Sequence, residues 1–185
     1  MKTVGFMSDT HGNVVQTRKA FKIMDDYSCD IIIHTGDVLS YGYSKQDDDM
    51  IELLNSKDNI TFTRGNSDYF SDFRNLRHDM SKYERLIDLG GRLVLASHGY
   101  RKSINEYIAL AENLSAKIFV SGHTHVSKIE LKNDIIALNP GSVGKPRDGI
   151  NSIAIMKNDD ILLIDVNTEE TFNYFHINIW KFYWV

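Results

Sequence analysis

Five short apolar runs, each ending beside a glycine flanked by Asp, His or Asn, constrain this chain more than any other feature. Val4-Gly5-Phe6-Met7 runs into Ser8-Asp9-Thr10-His11-Gly12, Ile31-Ile32-Ile33 into His34-Thr35-Gly36-Asp37, and Ile60-Thr61-Phe62-Thr63 into Arg64-Gly65-Asn66-Ser67-Asp68. Leu93-Val94-Leu95-Ala96 ends in Ser97-His98-Gly99, and Ile118-Phe119-Val120 leads into Gly122-His123-Thr124-His125. Short apolar runs bounded by turn residues read as buried strands. Side chains at i and i+2 point the same way where a strand runs out. Asp9 with His11, and His123 with His125, can therefore each face one small site. A single His-x-His also suits a polar strand face; five such strand ends in one chain point to a metal centre.

A chain of 185 residues, 42% hydrophobic and 25% charged, is long enough for one well-buried domain spanning 1–185. The single Cys29 excludes a disulfide framework, and no basic-then-apolar leader precedes the first strand. The longest apolar runs are too short to cross a bilayer, so the expectation is a cytoplasmic protein with no membrane partner. A net charge of −4 argues against a broad basic surface that tracks nucleic acid. It does not exclude nucleic acid from a metal-filled cleft.

Strand and helix alternate through the first half. After a strand at Thr3–Ser8, Asn13 caps a helix to about Asp26, with Val14, Thr17, Phe21 and Met24 on one face. Ser44 with Asp47 reads as a capping box opening a helix to about Asn55. Asp47-Asp48-Asp49 then reads as a solvated first turn favoured by the helix dipole. Residues 70–85 form an irregular excursion. Strands Glu84–Asp88 and Arg92–Ser97 flank Gly90-Gly91, and Ser103 with Glu106 opens a helix to about Leu114. Short strands follow at Ile118–Ser121, Ser127–Leu131, Ile135–Leu138, Ser152–Lys157, Ile161–Val166 and Thr171–Trp180. Turns are expected at Asn133-Asp134 and Asn158-Asp159-Asp160. A βαβα start followed by a run of strands predicts an α/β protein of two stacked sheets with helices outside. Ligands in such folds bind beyond the carboxyl ends of the strands, where all five polar loops sit.

Taken in order, Asp9-x-His11, Gly36-Asp37, Gly65-Asn66, His98 and Gly122-His123-x-His125 resemble the calcineurin-like metallophosphoesterases. The short length and Asn139-Pro140-Gly141-Ser142 resemble their small YfcE-like phosphodiesterase branch, over residues 3 to about 147. The resemblance implies a four-layer α/β/β/α sandwich, two mixed sheets flanked by helices, holding two divalent ions. It assigns one ion to Asp9, His11 and His125, a second to Asn66, His98 and His123, and Asp37 as the bridge. A carboxylate suits that place because it presents two anionic oxygens. Nitrogen and oxygen donors without thiolate suit Mn²⁺, Fe, Zn²⁺, Co²⁺ or Ni²⁺ over Ca²⁺ or Mg²⁺, and analogy favours Mn²⁺.

Two such ions offset by Asp9 and Asp37 leave roughly plus two at the site. A pair ~3.5–4 Å apart lowers the pKa of a bridging water from roughly 15.7 toward about 7 and clamps both oxygens of an in-line displacement. The implied activity is hydrolysis of a small-molecule phosphodiester, with Asp37, Asn66 and His98 catalytic. A nuclease or a phosphomonoesterase would use the same centre with a different rim. A non-catalytic scaffold of the retromer-subunit type would keep the backbone and lose ligands, whereas here every ligand position is filled.

One departure bears on mechanism. Larger relatives carry a His directly after the metal-binding Asn, placed to protonate the leaving oxygen, and here that position is Ser67. Losing a good general acid costs ~10²–10⁴-fold, which favours diesters with good leaving groups. Asp68 is expected to orient a histidine rather than ligate. His34 is expected to be satisfied in the core, with His78 and His176 on the surface or in packing. Arg147 is the candidate contact to a substrate phosphate, ahead of Arg64 and Arg101, and Cys29 is a small apolar filler. Phe175, Ile177 and Ile179 alternate like a half-buried strand, and Trp180, Phe182, Tyr183 and Trp184 then crowd together. That run is expected either to cover a second subunit in a homodimer or to pack onto the chain's own sheet.

Overall fold

Apolar residues on both faces of the first strand set the layering. In β1 (Val4–Met7), Val4 and Phe6 face one core while Met7 faces another. A strand covered on both sides reads as a continuous apolar run, and β2 (Ile31–His34) repeats the pattern with Ile33 and Ile32. The computed structural model describes residues 2–40 and 45–177. Helix α1 (Val14–Asp26) joins β1 to β2, and α2 (Lys45–Asn55) joins β2 to β3 (Ile60–Phe62). A 3₁₀ turn at Phe70–Phe73 lies within the excursion before β4 (Glu84–Asp88). Then come β5 (Leu93–Ser97), α3 (Ile104–Asn113), β6 (Ile118–Val120), β7 (Lys128–Lys132), β8 (Ile135–Asn139), β9 (Ser152–Lys157), β10 (Asp160–Asp165) and β11 (Thr171–His176).

One sheet runs β11-β10-β9-β1-β2-β3 and the other β4-β5-β6-β8-β7. Both are mixed: β1, β2 and β3 are parallel, as are β5, β6 and β8, with antiparallel partners outside them. Helices α1 and α2 cover the outer face of the first sheet through Phe21, Met24, Met50 and Leu54. Val4, Phe6, Ile33, Val94, Ile118, Val120, Leu138 and Leu163 fill the space between the sheets. Tyr107, Ile108 and Ala111 of α3 close the outer face of the second sheet against Leu95 and Phe119. The order is helix, sheet, sheet, helix.

Local signals fix the ends of these elements. Asn13 accepts from the Gln16 N–H at 3.2 Å, and Ser103 with Glu106 forms a complete capping box. Asn133 and Asp134 both hold left-handed φ, at 47° and 60°, as a tight two-residue hairpin requires. Strand boundaries fall within a residue or two of those read from the sequence. The strand expected over Thr171–Trp180 is formed from Thr171 to His176, and residues 178–185, with Trp180, Phe182, Tyr183 and Trp184, lie outside the described residues, as does Ser44.

Asp47 differs from expectation. It is fully buried rather than solvated, and its Oδ1 accepts from the Ser40 N–H at 2.9 Å. The carboxylate ties the loop after β2 to the start of α2, leaving Asp48 and Asp49 as the exposed pair.

Candidate metal centre

The polar loops leave the parallel strands of both sheets and are stitched to one another. The Asp9 N–H donates to Gly36 O at 3.0 Å, His11 N–H to Asp37 O at 3.1 Å, and Gly122 N–H to His98 O at 3.0 Å. Asp9, His11, Asp37, His123 and His125 all take left-handed φ, between 43° and 67°. Non-glycine residues reach that region at a cost, and such strain gathers at functional sites. Two glycines let the loops meet. A Cβ on Gly65 would collide with the backbone and carboxylate of Asp37, and one on Gly122 would fall on the Ser8 hydroxyl and 2.6 Å from Asp9 Oδ2.

Two imidazoles have their orientation fixed by acceptors behind them. His98 Nδ1 lies 2.8 Å from the Thr35 carbonyl and His125 Nδ1 lies 2.6 Å from the Lys145 carbonyl. A carbonyl only accepts, so each Nδ1 carries a proton and each Nε2 faces the centre. His98 Nε2 meets Asn66 Oδ1 at 3.1 Å, Asp37 Oδ2 at 3.3 Å and Asp9 Oδ1 at 3.9 Å. His125 Nε2 meets Asp9 Oδ1 at 3.1 Å and His11 Nε2 at 3.2 Å. His123 Nδ1 lies 2.8 Å from Asn66 Oδ1, and His11 Nε2 lies 3.8 Å from Asp37 Oδ2.

Electron-pair donors therefore converge from every side. Asp9 Oδ1 is buried and faces only imidazole nitrogens, so with His125 Nε2 unprotonated it has no hydrogen-bond donor, a situation that costs ~1–3 kcal/mol unless a proton or a cation answers it. Ligand atoms of Asp9, His11, Asp37 and His125 all lie within 4.8 Å of one another. Separations near 3.2 Å between donors suit neighbours on one ion with bonds of ~2.0–2.2 Å. Asp37 stands between this group and the Asn66, His98 and His123 trio, reaching His98 at 3.3 Å and His11 at 3.8 Å. The seven side chains fit a centre for divalent cations.

The proton affinities follow from the same geometry. Burial pushes the Asp37 carboxyl up, but His98 and the Ser67 N–H, at 2.8 Å from Oδ1, outweigh it and hold the group well below the usual carboxylate range. Burial lowers His98, and Asp37 and Asp9 overcome it to raise the imidazole. Hydrogen bonding to Asp9 raises His125, whereas burial lowers His11 and His123.

The supporting residues are sorted differently from the sequence reading in one respect. Asp68, expected to orient a histidine, instead takes up three backbone N–H groups, those of Asp37 at 2.8 Å, Val38 at 2.8 Å and Gly65 at 2.7 Å. It ties the loop carrying Asp37 to the loop carrying Asn66, and burial pushes its carboxyl up to about 6. His34 is satisfied in the core: Nδ1 accepts from Gly36 N–H, and Nε2 donates to Thr10 Oγ1, which itself donates to Val38 O. Burial takes its pKa down to about 3. His78 packs on Phe62, and exposed His176 pairs with Asp160 at 2.7 Å. Arg147 is exposed beside His125, whose carbonyl its N–H meets at 2.9 Å.

Two participants had no role assigned to them from the sequence. Asn139 Nδ2 donates to Gly122 O at 2.8 Å and Thr124 Oγ1 at 3.0 Å, holding the His123–His125 loop. Tyr100 lays its ring beside His98 and His123. The Asn-Pro-Gly-Ser run marked the first without giving its role.

Residues 1–160 match the calcineurin-like phosphoesterase superfamily domain. The chain is 31% identical over 160 residues to the phosphodiesterase MJ0936 of Methanocaldococcus jannaschii, covering 83% of this chain and 91% of that protein. It is 26% identical over 179 residues to the phosphodiesterase YfcE of Escherichia coli K12, covering 91% and 95%. The solved E. coli YfcE structure superposes with a TM-score of 0.81 at 25% identity over 95% of this chain and all of that one. A zinc complex of Vps29 from Entamoeba histolytica, at 15% identity and TM-score 0.68, covers 95% of this chain and 99% of that one and shares the fold.

Proposed function

The chain belongs to the calcineurin-like phosphoesterase superfamily and is a metal-dependent phosphoesterase, and from that premise we propose a dinuclear, Mn²⁺-preferring phosphodiesterase acting on a small-molecule diester by in-line displacement. The observation that carries this reading is the convergence of the His98 and His125 Nε2 atoms on Asp9 and Asp37. Asp9, His11 and His125 would hold one ion, Asn66, His98 and His123 the other, and Asp37 both. When bound, the ions supply a water of lowered pKa and a positive clamp on the phosphate.

The chain's own groups fix the rest. The Ser67 N–H pins Asp37 Oδ1 and so aims Oδ2 between the two groups of donors. The Thr35 and Lys145 carbonyls keep the His98 and His125 rings from turning. Exposed Arg147, tied by its backbone N–H to the His125 carbonyl, would offer its guanidinium to a phosphate oxygen. A water oxygen adds to phosphorus and gives up its proton to solvent, the ester P–O bond opposite breaks, and the leaving oxygen departs as an alkoxide or phenolate that solvent then protonates, with a phosphomonoester as the other product. Ser67 is buried and a poor acid, so the departing oxygen must leave largely unaided. Substrates with acidic leaving groups follow.

The test is hydrolysis of bis-p-nitrophenyl phosphate against p-nitrophenyl phosphate, with and without added Mn²⁺. Mn²⁺-dependent preference for the diester is expected. A strong monoester preference would make the protein a phosphomonoesterase, and cleavage of oligonucleotides over small diesters a nuclease. No turnover with any metal would leave a binding scaffold. The lone thiol of Cys29 suits a reducing compartment such as the cytoplasm. Among the described residues no helix is long and apolar enough to cross a membrane. Pairing of two copies through the aromatic C-terminal run is part of the proposal, and sedimentation of a chain truncated after Ile179 tests it.

A further inference from the structure

Beside Asn66, His98 and His123 rises a patch that the hydrolytic chemistry does not use. Tyr100, two residues past His98 and 38% exposed, sets its ring 5.9 Å from the His98 ring, edge on, and 6.1 Å from the His123 ring. Arg64, two residues before Asn66, donates its backbone N–H to Lys82 O at 2.7 Å, which brings Tyr83 alongside. The Arg64 and Arg101 guanidinium groups lie 5.4 and 4.1 Å from the Tyr83 ring centre. Arg64 is further anchored by Nε, which donates to Asp68 O at 2.9 Å. Two phenols and two guanidinium groups, from the ends of β3 and β5 and the approach to β4, thus gather on the side of Tyr100 that adjoins His98 and His123, with Tyr83, Arg101 and Arg64 all bearing on the Tyr100 phenol. Across the centre, the cations that bear on His11 and His125 are Lys145 and Arg147, neither of them a phenol.

Resting on the phosphodiesterase reading, we infer that Tyr100, Tyr83, Arg101 and Arg64 form a subsite for one ester arm of the substrate, and that this arm carries a planar aromatic ring, an aryl group or a nucleobase. A phosphorus held at the centre has two arms, and one directed over Asn66, His98 and His123 meets Tyr100 first. A planar ring gains there from stacking on the phenol and from the guanidinium planes. An aliphatic arm gains only buried area.

Phosphonates separate this subsite from the metal centre, because phenylphosphonate and methylphosphonate present the same head and differ by a ring. Calorimetric binding to the Mn²⁺-loaded chain is expected to favour phenylphosphonate by about tenfold. Tyr100→Leu and Arg101→Ala should bring that ratio close to one, while Tyr100→Phe keeps it, with metal content measured for each protein. Should Tyr100→Leu lose metal because its ring packs on two histidines, Tyr83→Leu gives the same reading farther from them. Adenosine 5′-phosphate against ribose 5-phosphate then identifies the ring: a matching preference marks a nucleobase, and a preference confined to phenyl marks a simple aryl arm. A ratio near one in the wild-type protein, or a preference that survives Tyr83→Leu and Arg101→Ala, overturns the subsite. If bis-p-nitrophenyl phosphate is still hydrolysed in that case, the subsite alone fails. If neither turnover nor phosphonate binding is found, the phosphodiesterase reading falls with it.

Discussion

The Asp9, His11 and His125 half of the centre and the Asn66, His98 and His123 half grow from the same kind of strand exit, yet differ in charge and access. Asp9 is fully buried and His125 is 9% exposed, whereas Asn66 and His123 are open to solvent. The first half owns a carboxylate, and the second offers a neutral amide oxygen and depends on Asp37 for charge. A buried anionic set retains a cation through desolvated charge, while a set with no carboxylate of its own, and with only His98 buried, holds it less tightly. On the proposed dinuclear reading, the half with Asp9 would keep a resident ion, and the half beside Tyr100 would be where substrate meets a second.

Because Asp37 reaches donors of both halves, its loss is the largest expected effect. Asp37→Asn should lower turnover of bis-p-nitrophenyl phosphate by more than the ~10²–10³-fold typical of losing one stabilising group, with circular dichroism unchanged. A fully active variant would remove Asp37 from the site. Next comes Asn66→Ala, expected to cost one metal equivalent by atomic absorption while the other stays. Loss of both would erase the distinction between the halves. Asn139→Ala frees the loop between His123 and His125, one from each half, and a ~10–100-fold loss in metal affinity or activity is expected; an unchanged metal titration would show that the loop holds itself.

The smallest effect concerns His34, below the closed half. Its folded pKa, about 3, lies under the ordinary 6.5, so between these values the unfolded chain binds the extra proton. Stability of the metal-free protein should therefore be full above about pH 6.5 and fall as pH drops toward 3. Urea midpoints across that range would show it, with a shallower slope in His34→Gln. A slope unchanged by the substitution would assign the proton elsewhere.

Much of the fold was legible because it is local. Apolar runs of three to six residues gave the strands, Asn13 and Ser103 gave helix starts, and Asn133-Asp134 gave a hairpin. Donor types at the strand exits were equally plain. Asp47 was misread because its acidic neighbours and helical position look the same whether the carboxylate meets water or the Ser40 N–H. Asp68 was assigned the wrong partner for the same reason: a carboxylate next to a ligand loop does not announce whether a ring or a backbone amide will reach it.

By itself the sequence determined which residues can give electron pairs to a cation and that two stacked sheets would carry them. Periodicity and side-chain chemistry belong to each residue and its near neighbours. Only the tertiary structure decided which atom of each donor faces inward, through contacts such as Thr35 O to His98 and Ser142 Oγ to Asp9 O that link positions 63 and 133 residues apart. It also set Tyr100 beside His98 and His123, and left one half of the centre open. Those outcomes depend on how loops from two sheets pack, and no local pattern encodes the meeting of segments that far apart.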